Sequence, residues 1–319
     1  MPDVGHSNQD DAESLRRSVE NLIRNFDAEL TSGELRPKVL ALVPIFHGLR
    51  ELGKALIPAE FTSAARDRLL YYFQCYPHTV VDGDELLVIS GIQEYARRIR
   101  ELRVQFGWQI ASGVTIREMV ETEEEDVPTL WRRMKPSQYV LLDVEQDRGA
   151  AHRWNTANTI RKSGGAVRDK ILRFLRANVG QGVTGEELRY VAGDSTEWAR
   201  RVRELRTEAG WPIATKSTGR PDLSIGTYVL LADRQSPEHD RHIPDAVRRG
   251  ILRRDGYRCR TCGWSHEEWN PSDPRHLELH HHLAHAEGGE NREENLIVLC
   301  TVCHDAEHKR RRGKPASGE

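Results

Sequence analysis

The sequence contains one module twice. EYARRIRELRVQFGW (94–108) recurs as EWARRVRELRTEAGW (197–211), with eight of the first ten positions identical. Upstream, DRLLYYF (67–73) answers DKILRFL (169–175) and VDGDELLVISG (81–91) answers VTGEELRYVAG (183–193). Downstream, YVLLD (139–143) answers YVLLAD (228–233). A duplication on this scale is read before any single motif, because overlooking it mis-assigns the whole fold.

Each copy reads as a helix, a Gly-punctuated turn, a short helix, a longer helix, a Gly-Trp stop and two short extended runs. In the longer helix of the first copy Tyr95, Ile99, Leu102 and Phe106 share one face at helical spacing while Arg97 and Arg100 point away. This order resembles a winged helix-turn-helix, and the resemblance implies a third helix in the DNA major groove and a wing on the backbone. The competing interpretation is a small helical scaffold with a solvated arginine face. The copies differ in charge: residues 66–108 carry six basic and six acidic side chains, residues 168–211 nine and seven. The first wing also carries ETEEED (121–126), which repels phosphate, whereas the second has Lys216 and Arg220. The expected DNA contacts are Arg200, Arg201, Arg203 and Arg206, with Arg97, Arg98 and Arg100 contributing less.

Five segments are expected: a disordered polar tail (1–13), a helical segment (14–60), a first repeat (61–148), a second repeat (160–234) and a C-terminal domain (240–319). The helical segment reads as two helices split near Ser32-Gly33. The second has an apolar stripe through Val39, Leu42, Val43, Phe46, Leu49, Leu52 and Leu56, and Pro44 would kink or restart it. A stripe this rich is expected to be buried, on the first repeat or against a second copy of the chain.

Four of the five cysteines form two CxxC pairs, Cys259/Cys262 and Cys300/Cys303. With a polar N-terminus and no apolar run of transmembrane length, the cytosol is the default location, and there paired thiols read as metal ligands. Four thiolates in two CxxC pairs are the ligand set of a tetrahedral structural zinc. The net charge is -2, so a polyanionic partner must be met by local patches. One such run is 241–260, with seven arginines against two aspartates.

Zinc leaves the histidines of LELHHHLAHAEGGENREENLIVLCTVCHDAEH unexplained. This stretch resembles the HNH, or ββα-metal, nucleases: paired histidines, a Gly-Gly turn, an Asn before a Leu, then CxxC followed by His. The match runs without a gap over 279–308, and the preceding CxxC fits the zinc-stapled branch. The family's register, with the first paired histidine eight residues before the turn, implies His280 as a metal ligand and His281 as the general base. Strand alternation agrees, since 280 and 282 share a face and 281 has the other. His304 and His308, four apart, lie on one helix face and can reach one ion together. The resemblance implies both as ligands, and implies that Asn295 ties the loop so that His281 stays aimed. His266, His276, His282 and His285 read as surface or packing histidines.

The expected fold class is therefore α+β: N-terminal helices, two winged helix-turn-helix-like repeats, and a C-terminal ββα-metal domain with structural zinc. The expected activity is metal-dependent cleavage of double-stranded DNA of restriction type, using Mg2+ or another divalent cation. The residues leave open the recognition sequence and any demand for a modified base. The alternatives are a homing or phage-type HNH enzyme, or a zinc-containing DNA-binding regulator that does not cut. One ββα-metal centre cuts one strand, so a double-strand break needs two, which motivates a homodimer. No membrane partner is expected.

Overall fold

In a computed structural model the described residues are 6–31, 33–61, 63–121, 127–270, 272–283 and 289–312. Of the acidic stretch 121–126 only Glu121 is among them; His285 and Gly288 lie outside them. The chain forms two compact units, Met1–Val114 with Arg133–Ala151 and Thr115–Arg132 with His152–Glu319.

The first unit opens with α1 (His6–Leu30) and α2 (Leu35–Ala55). Helix α1 begins inside the stretch expected to be disordered. From Glu13 onward it carries ion pairs one turn apart, Glu13–Arg16 at 2.7 Å, Glu13–Arg17 at 2.8 Å and Glu20–Arg24 at 2.5 Å, the spacing that supports an exposed helix. There follow α3 (Ala65–Cys75), α4 (Gly83–Ser90), α5 (Tyr95–Val104), β1 (Ile110–Ser112) and β2 (Tyr139–Leu141); between the two strands lies α6 (Gly113–Val120), which from Thr115 on belongs to the second unit. A capping box between Asp82 and Glu85 starts α4, and Gly91 in the left-handed region (φ 65°) ends it. Strands β1 and β2 pair antiparallel with Ile110 opposite Leu141. They close a core of Leu69, Phe73, Leu86, Ile99 and Leu102.

Helix α2 runs through Pro44 without restarting. Within the single chain the first repeat does not cover its apolar stripe: Val39, Leu42, Val43, Phe46, Leu49 and Leu56 are 42–59% exposed. The reason is that α2 docks through another face. Arg50 Nε donates to Gly91 O at 2.7 Å, and Gly53 lies so close to α4 that a Cβ there would sit 2.3 Å from the Val88 carbonyl oxygen.

The second unit repeats the pattern with α8 (Val167–Arg176), β3 (Val183–Thr184), α9 (Gly185–Val191), α10 (Trp198–Thr207), β4 (Ile213–Ala214) and β5 (Thr227–Leu230), after a connecting helix α7 (Ala150–Lys162). The sheet order is β3-β5-β4. Thr184 and Glu187 form the counterpart capping box. Trp198, where the first copy has Tyr95, is fully buried and donates its Nε1 hydrogen to Glu118 of α6 at 2.6 Å; Arg189 donates to the same oxygen at 3.0 Å. Burial raises the Glu118 carboxyl above its ordinary pKa despite these donors. Residues inserted between the strands of the first repeat thus complete the core of the second unit.

The C-terminal part comprises α11 (Asp245–Arg254), an antiparallel hairpin of β6 (Leu277–His281) and β7 (Leu296–Cys300), and α12 (Thr301–Arg312). Leu279, Leu296 and Val298 pack with Ile243, Ile251 and Leu252.

Candidate active site

Strand β6 separates its side chains by parity. Leu279 enters the apolar core, whereas Glu278 and His280 turn toward α12, which brings His304 and His308 one turn apart. All three rings crowd together, with centroids 4.9 Å (280–304), 5.0 Å (280–308) and 4.5 Å (304–308) apart. Into this cluster comes Asp240, from a 3-10 turn at Glu238–Asp240. Its Oδ2 lies 2.9 Å from His304 Nε2, 3.2 Å from His308 Nε2 and 3.9 Å from His280 Nδ1. One donor atom from each of Asp240, His280, His304 and His308 falls within 4.8 Å of every other.

His281 stands beside this set and shares its carboxylate. Its Nδ1 lies 2.8 Å from Asp240 Oδ1, and its Nε2 lies 2.9 Å from Asn291 Oδ1. Asn291 Nδ2 donates to the His242 carbonyl at 3.0 Å, which commits Oδ1 to the histidine. In this arrangement the ring donates at both nitrogens. Asn295 binds the loop that follows β6: its Oδ1 accepts from Leu283 N at 2.7 Å and its Nδ2 donates to Leu283 O and Glu290 O, each at 3.0 Å.

The charges are arranged to keep the carboxylates ionised. Burial pushes the Asp240 and Glu278 carboxyls up, but hydrogen bonds from the surrounding imidazoles outweigh it, so both lie well below the ordinary carboxylate range. His304 is the reciprocal case. Burial disfavours its cation, yet hydrogen bonds to Asp240 and Glu278 raise it to about 9. A site with two ionised carboxylates beneath a fan of imidazoles is chemically suited to a divalent cation. A further sign is His280 Nδ1, which is buried and has no hydrogen-bond partner among the described residues.

The four cysteines form a second cluster. Cys259 and Cys262 flank a tight turn in which Cys259 N donates to Trp264 O at 2.8 Å and Gly263 adopts a φ of 77°. Cys300 ends β7 and Cys303 lies in the first turn of α12. All four sulfurs lie within 4.8 Å of one another and none is in a disulfide, an arrangement compatible with zinc. Backbone N–H groups lower the Cys259 thiol to about 7 against the opposing effect of burial, while burial raises Cys303. Since α12 carries both Cys303 and His304, the cysteine cluster also fixes the helix that presents two of the imidazoles.

Three participants were not legible in the sequence: Asp240, Glu278 and Asn291. Glu278 had a signal, because it stands two residues before His280 on the same strand face. Among the expected DNA contacts, Arg97, Arg100 and Arg200 are exposed and Arg98, Arg201 and Arg203 half-exposed. Arg206 requires correction: it is 4% exposed and pairs with buried Asp245 at 2.5 Å, so it faces protein rather than solvent. Some of the other arginines are partly neutralised by neighbouring glutamates, Arg98 by Glu101 at 2.8 Å and Arg201 by Glu204 at 2.7 Å.

The KpnI N-terminal domain family matches residues 66–142 and 168–231, the two copies of the repeat, and the HNH endonuclease family matches residues 259–310. No curated protein and no solved structure matches the chain. Among the described residues no helix is long and apolar enough to cross a membrane. The chain thus joins the duplicated domain of a restriction enzyme family to an HNH endonuclease domain, a pairing that indicates a restriction-type nuclease hydrolysing DNA.

Proposed function

We propose that the two repeats act as winged helices that choose a site on double-stranded DNA, and that the C-terminal domain cuts there. A divalent ion would be held by Asp240, His280, His304 and His308, while Cys259, Cys262, Cys300 and Cys303 hold a structural zinc. The observation that carries this reading is the convergence of four donor atoms on one point beside a histidine locked to the same carboxylate.

When bound, the ion supplies electrostatic stabilisation at the scissile phosphate and at the departing 3' oxygen. With three imidazoles in the donor set, Mg2+, Mn2+, Ni2+ or Zn2+ could serve, Mg2+ being the abundant cellular choice. The chain's own residues manage the proton. Asp240 Oδ1 holds His281 Nδ1–H, leaving Nε2 as the atom that takes the proton from the attacking water. For that, Nε2 must give up its hydrogen and its contact with Asn291, so that water occupies the position of the amide oxygen. Asn295 keeps the loop after β6 in place while this happens.

Site choice is tested on the arginines. Replacing Arg200, Arg201 and Arg203 together with Ala is expected to weaken DNA binding and flatten its salt dependence, as loss of phosphate contacts does. The same change at Arg97, Arg98 and Arg100 is expected to do less, given the neutral balance of that copy. Equal losses in a salt-titrated binding assay would contradict the asymmetry.

The open stripe of α2 supports a homodimer in which a second copy covers it, placing two centres on one DNA. Sedimentation is expected to show a dimer on cognate DNA, with Phe46→Glu shifting it to monomer. A monomer that still makes double-strand breaks in single encounters would exclude this arrangement.

A further inference from the structure

Asp240 lies outside both family matches, which end at residue 231 and resume at 259. It is carried by a strap, residues 232–245, laid along the C-terminal end of α10. Gln235 Nε2 donates to Ala209 O at 2.7 Å, Ser236 N to Gly210 O at 2.7 Å and His242 N to Thr207 O at 2.8 Å. Arg206 then forks onto Asp245, Nε to Oδ1 at 2.9 Å and Nη2 to Oδ2 at 2.5 Å, with both side chains buried. Gly210 permits the close approach: its φ is +71°, and a Cβ there would lie 2.7 Å from Arg241 Cγ.

The duplication supplies an internal comparison. In the first copy Gln146 Nε2 donates to Phe106 O at 2.7 Å and Asp147 N to Gly107 O at 3.0 Å, so both copies seat the chain that follows them in the same way. Their counterpart arginines diverge. Arg103 turns back on its own copy, with Nε donating to Ile110 O and the guanidinium 5.7 Å from the Tyr139 ring, whereas Arg206 reaches forward to the strap. What the strap delivers is Asp240. His242, at φ +63°, bonds Thr207 through its N–H and Asn291 through its carbonyl, so both nitrogens of His281 are held by way of this segment.

We infer that Arg206 is a positioning residue for cleavage: its fork onto Asp245 fixes the strap, through which the second repeat supplies Asp240 to the metal centre and aims His281. The nuclease domain is then complete only while seated on that repeat. This rests on Asp240 being a ligand, as proposed above.

The test measures Mn2+ affinity of the full-length, zinc-loaded protein by calorimetry without DNA, and the cleavage rate at saturating DNA. Asp240→Asn should weaken Mn2+ binding. The paired change Arg206→Met with Asp245→Leu keeps the site buried and apolar. It should weaken Mn2+ binding ~10-fold or more, as loss of outer-sphere support does. It should also slow cleavage at saturation while DNA affinity and zinc content hold. If that variant does not fold, Arg206→Lys decides, with a smaller loss in the same direction expected from its single-pronged contact. Unchanged Mn2+ affinity in Asp240→Asn would overturn the ligand reading and this inference together. Weakened binding in Asp240→Asn, but wild-type binding and rate in the folded strap variant, would overturn the inference alone.

Discussion

Cys259→Ser is expected to unfold the nuclease domain. Among the described residues of that domain the buried apolar side chains form two small groups, one under the hairpin and one around Trp264 and the cysteines themselves. Neither is large enough to hold the fold alone. A structural zinc on four thiolates contributes roughly 10 kcal/mol or more to the folding of such small modules, comparable with the whole stability of an ordinary domain. Losing one thiolate also releases α12 and, with it, His304 and His308. Metal analysis should find one tightly held zinc in the wild type and none in the variant, and the domain's melting transition should vanish. A wild type without zinc, or a variant that melts unchanged, would contradict the four-cysteine site.

His281→Ala is expected to slow cleavage at least ~100-fold, the lower end of what a positioned general base contributes. The fold and the candidate metal donors should survive, because His281 is not one of the four side chains whose donor atoms converge. Its removal costs Asp240 one of its hydrogen bonds, so a modest change in metal affinity is compatible with the account. DNA binding should be unaltered. His280→Ala should instead lose the ion, with excess metal restoring part of the rate. His282→Ala should matter least, since that side chain is exposed and its backbone N–H merely bonds Asn295 O at 2.8 Å.

What the sequence conveyed follows from how strongly each feature constrains spacing. Cys259, Cys262, Cys300 and Cys303, and the His304/His308 pair, were legible because metal donors on one helix or turn must recur at short fixed intervals. The repeats were legible because their identity is direct. Asp240 was not, since it comes from a polar linker 41 residues before the histidine it holds, a distance across which no periodicity operates. Arg206 was misread for a related reason: along α10 it looks like its neighbours, and only the buried partner Asp245 sets it apart. The stripe on α2 shows the opposite limit. Its apolar spacing announces a face to be covered, but not that Gly53 and Arg50 would dock the helix through a different side. Likewise nothing local in Thr115–Arg132 indicates that Glu118 serves Trp198 of the other copy.

The central claim, that His281 does the proton chemistry beside an ion held by Asp240 and three imidazoles, is tested most directly by ranking three purified variants in one cleavage assay with added Mg2+ or Mn2+. His281→Ala should stay slow however much metal is added, His280→Ala should recover partly as metal rises, and His282→Ala should cut close to the wild-type rate. If His282→Ala were dead while His281→Ala still cut, the register would be off by one. If all three cut normally, the active site would lie elsewhere.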